Sequence, residues 1–111
     1  MISKHNAPHF TWRDVCDGWT LLDDASLHVL QERMPPDTSE LLHTHSHVHP
    51  CSRGEATIDL VIDGRSESLH AGEALVIEPM TPHRISNRSS EALEFLVISS
   101  SPPRHDRENL E

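Results

Sequence analysis

Asp37-Thr38-Ser39-Glu40-Leu41-Leu42-His43-Thr44-His45-Ser46-His47-Val48-His49 is the stretch from which the rest of this chain can be read. In its second half, histidine alternates with other residues. A β-strand sends residues i, i+2 and i+4 to one face, so this alternation sets several imidazoles side by side. Neutral imidazole binds Zn, Fe, Cu, Ni and Mn. A further histidine, His83, follows the turn Pro79-Met80-Thr81-Pro82. One strand plus a distant loop residue is a common way to hold a single ion, so the chain reads first as a metal binder.

Outward from that stretch the periodicity favours strands. Short apolar or alternating runs are separated by turn signals. Thr20 to Leu22 is a candidate first strand. Ser26 to Met34 alternates, with Leu27 and Val29 on one face, and stops at Pro35-Pro36-Asp37. Leu41 to His47 follows. Ala56 to Ile62 places Ile58, Leu60 and Ile62 together, and Asp63-Gly64 is a strong hairpin turn leading into Arg65 to His70. Ala74 to Ile77, His83 to Asn87 and Leu93 to Ser99 complete the series. No segment sustains a helical period over ten residues, and this pattern points to an all-β sandwich or barrel. Residues 1–111 form one domain, with a core over about 20–100, a peripheral N-terminal arm (1–18) and a frayed tail (101–111).

Composition narrows the functions. A formal net charge of −9 argues against partners that need clustered Lys and Arg, so no nucleic acid and no anionic membrane is expected. Lys4 is the single lysine, and the eight arginines are scattered. Cys16 and Cys51 form neither a disulfide framework nor a CxxC motif and are expected as reduced thiols. The polar segment Met1 to Trp12 lacks a signal-peptide core, and no apolar run approaches the roughly 20 residues of a membrane span. A cytoplasmic protein is expected.

Asp37, five residues, His43-Thr44-His45, three residues and His49 resemble the first motif of the cupin superfamily, in which Gly, HxH and Glu stand at those places. Gly72, Glu78, Met80, His83 and Asn87 resemble the second, where Gly, Pro, Gly, His and Asn stand. Cys16-Asp17-Gly18-Trp19, Gly54-Glu55-Ala56-Thr57 and Leu96-Val97-Ile98-Ser99-Ser100 are similar to segments of small single-domain cupins. The resemblance implies a double-stranded β-helix, the jelly-roll barrel, with one divalent transition metal (Zn, Fe, Mn or Ni) between its sheets. It makes His43, His45 and His83 ligands, with His49 where the family has Glu or Gln. His47 and Glu55 are alternatives for that fourth place. It also implies a homodimer, since open sheet edges need covering.

Three departures carry structural expectations. Val48-His49-Pro50-Cys51-Ser52-Arg53 reaches Gly54 early, and Pro50 cannot donate to a ladder, so this strand should be short, distorted or at an edge. Asp37 in a Gly place suits a tight turn. Met80 in another implies a positive φ that Met resists. Away from the motifs, His5, His9, His28, His70 and His105 read as surface residues, His47 as a rim residue, Cys51 as a small apolar one, and Trp12 and Trp19 as packing residues. Asn87 either orients a ligand or holds a turn. Nothing in the sequence identifies a general base. Three functions remain open: a metal-dependent enzyme of dioxygenase or isomerase type acting on a small polar molecule, a non-catalytic module for metal or small ligands, and a cupin whose altered strand has lost the site.

Overall fold

The computed structural model describes residues 1–41, 43–44, 48–53, 58–62, 64–70, 72–78, 80–99 and 108–109. Its elements are all strands: β1 (His9–Trp12), β2 (Cys16–Asp23), β3 (His28–Met34), β4 (Thr38–Ser39), β5 (His43–Thr44), β6 (Val48–Arg53), β7 (Ile58–Ile62), β8 (Arg65–Leu69), β9 (His83–Asn87), β10 (Leu93–Ser99) and β11 (Glu108–Asn109). They form two antiparallel sheets, ordered β1-β2-β3-β10-β6 and β11-β5-β9-β7-β8, with β4 also on β9. Cys16, Met34, Leu93, Phe95 and Val97 of the first sheet pack with Leu69 and Ile85 of the second in one buried cluster. The expected all-β jelly roll is therefore the observed architecture. Among the described residues no helix is long and apolar enough to cross a membrane.

Pairing starts earlier than the sequence suggested, at His9 rather than Thr20. Trp12 stands opposite Cys16 across a tight turn in which Arg13 and Asp14 both take positive φ, 50° and 67°. Hairpin turns of this hand usually advertise themselves with glycine, and Arg13-Asp14 does not. The expected turn at Asp63-Gly64 has Gly64 at φ 80°, with Ile62 opposite Arg65. Ala74 to Ile77 is not a continuous strand and carries only isolated bridges. Part of the tail pairs, as β11 lies against β5.

The face of β3 is also corrected. Leu27 is exposed, and the inward positions are the even ones: His28, Leu30, Glu32 and Met34 stand opposite Ser99, Val97, Phe95 and Leu93 of β10. Polar side chains at two of those four positions, His28 and Glu32, hide the apolar alternation that would have marked the face. β6 lies at the end of its sheet's order, the place where a proline such as Pro50 disturbs fewest ladder bonds.

Candidate metal centre

β9 turns His83, Ile85 and Asn87 into the core, and His83 is only 2% exposed. The preceding turn is built for that imidazole. Met80 takes φ 63°, Thr81 N–H donates to Glu78 O at 3.2 Å, and Thr81 O lies 2.9 Å from His83 Nδ1. A carbonyl only accepts, so Nδ1 carries a proton; in the neutral ring this leaves the lone pair on Nε2, the state in which imidazole ligates a metal. Securing the other ring nitrogen in this way is the usual second support of a metal-binding histidine.

His43 on β5 stands directly opposite His83 on β9. Opposed residues of an antiparallel pair occupy one face of the sheet, with Cβ atoms about 5 Å apart. His45, His47 and Glu55 lie outside the described residues. His49 falls on the other sheet, in β6, opposite Ile98. Along β10, Leu93, Phe95, Val97 and Ser99 are buried, while Glu94, Leu96 and Ile98 are half-buried. The register thus sets Val48 and Pro50 in the rows of buried Ser99 and Val97, and His49 in the row of half-buried Ile98. Two of the four candidate ligands are brought together, and a third is set on the neighbouring sheet. Among the described residues no three His, Cys, Asp or Glu side chains gather into a metal-sized group.

From Asp37 to Glu40 the chain is laced to β9. Asp37 N–H donates to Asn87 O at 2.9 Å and Glu40 N–H to Ile85 O at 2.9 Å. Between β4 and β5 the ladder is completed by a side chain, as Ile85 N–H donates to Glu40 Oε1 at 3.1 Å. Asn87, fully buried, has its Nδ2 within 3.0, 3.1 and 2.8 Å of the carbonyls of Met34, Pro35 and Glu91, and its Oδ1 accepts from Ser89 N–H at 3.0 Å. Of its two expected roles, the turn role is the one these bonds describe. Cys16 is buried and free. Burial pushes its thiol above the ordinary value; a hydrogen bond with Thr38 opposes this, and the charges of Glu32, Glu40 and Asp17 add to it.

One residue of this region was missed in the sequence. His28, expected at the surface, is 7% exposed on the inward face of β3. Its Nδ1 lies 3.1 Å from Asp23 Oδ1, the residue opposite it on β2. The available signal was the five-residue separation of Asp23 and His28 across a polar turn, which places the two at the mouth of one hairpin.

Two antiparallel sheets, with His43 and His83 as register partners on one of them, form the frame of a double-stranded β-helix. The cupin domain family (Cupin_2) matches residues 30–99, and the chain belongs to that family. No curated protein matches it in sequence. Among solved structures, it is similar to the polyketide cyclase RemF from Streptomyces resistomycificus, at 20% identity and TM-score 0.84 over 100% of this chain and 84% of that one. It is also similar to an RmlC-like cupin from Shewanella frigidimarina, at 13% identity and TM-score 0.80 over 94% and 93% of the two chains. A sugar phosphate isomerase of the cupin superfamily from Silicibacter pomeroyi aligns at 18% identity and TM-score 0.75, covering 93% of this chain and 76% of that one. At these identities the likeness is one of fold.

Proposed function

We propose that this cupin holds one divalent transition metal through His43, His45 and His83, with a fourth donor from the first sheet, and that it binds a small polar molecule at the ion. The observation that carries the proposal is the direct opposition of His43 and His83, with His83 buried and its Nδ1 tied to Thr81 O. A buried imidazole already oriented through one nitrogen fits a metal donor set. The ion would supply Lewis-acid polarisation or a place for O₂. The chain's part is to orient the His83 imidazole through the Thr81 carbonyl and to keep it buried, at 2% exposed. An open coordination position at the ion would favour a catalytic role; a coordinatively closed tetrahedral zinc site would favour the structural alternative.

The deciding experiment is elemental analysis of untagged protein beside His83→Ala. Near-stoichiometric metal in the parent and its loss in the variant are expected. Equal metal in both would assign binding to the His43 to His49 run alone, and metal in neither, after refolding with Zn, Fe and Mn, would refute the centre. We also propose a homodimer, with β1 as the edge of the first sheet available for pairing; sedimentation showing only monomer at tens of micromolar would remove it.

A further inference from the structure

His28 is a buried imidazole with half of its bonding unaccounted for. Its Nδ1 lies 3.1 Å from Oδ1 of the exposed Asp23 carboxylate, and among the described residues its Nε2 has no hydrogen-bond partner, although the side chain is only 9% exposed. Buried polar atoms are almost always paired, so an orphan at such a position calls for a bound group. A histidine whose Nδ1 meets a carboxylate is also the arrangement that orients and strengthens metal-binding imidazoles.

Topology sets His28 at the end of the barrel where the candidate centre lies. Asp23, His28, Ser99 and Val48 form one row across β2, β3, β10 and β6. Val48 on β6 is four residues beyond Thr44 on β5, a separation of at most about 14 Å for any chain path. Packed sheets stand about 10 Å apart, and imidazoles directed inward from both can share an ion between them. On the first sheet His28 occupies an inward position, opposite buried Ser99, while His49 stands one register position away, opposite half-buried Ile98.

We infer that His28, oriented by Asp23, is the donor that the first sheet contributes to the ion, in the place the motif gives to His49. The inference rests on the proposed metal centre and goes beyond the motif, since His28 belongs to neither of its two segments.

The test is zinc affinity, measured by competition with a chromophoric chelator for the parent and for His83→Ala, His28→Gln, His28→Ala, Asp23→Ala and His49→Ala, each verified as folded by circular dichroism. Loss of binding in His83→Ala is expected, as are losses of about 10- to 100-fold in both His28 variants and about tenfold in Asp23→Ala, with His49→Ala within about twofold of the parent. Parent-like affinity in the His28 variants alongside loss in His83→Ala would overturn this inference and leave the metal centre standing. Parent-like affinity in His83→Ala would overturn both. Nitrogen-15 spectra of histidine-labelled parent protein give a reading without substitution: zinc is expected to move the His28 Nε2 resonance, and a His28 signal unmoved at saturating zinc would refute the assignment even if the variants failed to fold.

Discussion

Met80 at φ 63° and Asp37 at φ 61° occupy the left-handed region at two places where the family motifs carry glycine. A side chain with Cβ pays about 1–2 kcal/mol there, less for Asp, whose short polar group tolerates the conformation. Met80 is 56% exposed and loses little packing if removed. Met80→Gly is therefore expected to stabilise the protein by about 0.5–1 kcal/mol after the glycine's own entropy is counted, and Asp37→Gly to change it by less than about 0.5 kcal/mol. Urea midpoints decide the matter, and a lower midpoint for Met80→Gly would contradict the strain. Asn87 is the opposite case, a residue with every polar atom in use. Asn87→Asp keeps its shape but replaces the donor facing three carbonyls with an acceptor, so a loss of about 3 kcal/mol or partial unfolding is expected in the same assay. Both glycine replacements were legible as departures from a motif. The work of Asn87 was not, because its partners Met34 and Pro35 are more than fifty residues away.

At the scale of elements, β1 and β2 depend on one close approach. Phe10 stands opposite Gly18, and a Cβ built on Gly18 would run into the Phe10 ring, whose Cε1 lies 2.8 Å away and whose Cζ and Cε2 are closer still. Gly18 thus lets the aromatic ring cover the strand backbone. Gly18→Ala must push the ring off, an overpacking that costs about 1–3 kcal/mol. In a Phe10→Leu background the same change should cost much less, and a double-mutant cycle in thermal unfolding would report a coupling above about 0.5 kcal/mol; additive effects would mean that the ring does not depend on Gly18. Cys16-Asp17-Gly18-Trp19 was recognised in the sequence as a family-like segment, but its strand partner was not, since Arg13-Asp14 turns the chain without glycine. The inward face of β3 was misjudged for a related reason: His28 and Glu32 look like surface residues until Asp23 and the barrel interior are placed beside them.

For the whole molecule, the succession of strands and turns was largely readable because alternation and Pro or Gly punctuation are local. The order of strands within each sheet was not, because it joins residues far apart in sequence. The same limit held for the site. The spacing of His43 and His83 pointed to a shared centre, whereas the contribution of the first sheet depends on which face β3 and β6 present. The N-terminal segment shows the long-range principle in a testable form. Lys4 Nζ lies 2.6 Å from Glu94 Oε1, ninety residues away, and 5.7 Å from the centroid of the Trp19 ring, while Gln31 Nε2 donates to Glu94 Oε2 at 2.8 Å. Partial burial pushes the Glu94 carboxyl up, but the hydrogen bonds from Lys4 and Gln31 and the charges of Lys4 and Arg33 outweigh it and hold the group below its ordinary 4.5. A carboxylate whose folded value is depressed contributes stability that is fully present above its unfolded value and fades as pH falls through the folded one. The pair is partly exposed and therefore screened, worth about 0.5 kcal/mol, with a comparable amount from the contact between Lys4 and Trp19. Lys4→Ala should accordingly cost about 1 kcal/mol in urea unfolding at pH 7. The gap to the parent should narrow to about half once the pH falls well below 4.5, because protonation of Glu94 removes the ion pair but leaves the ammonium over the indole. A gap that stayed constant from pH 7 to pH 3 would show that Lys4 acts through Trp19 alone and that Glu94 is held by Gln31.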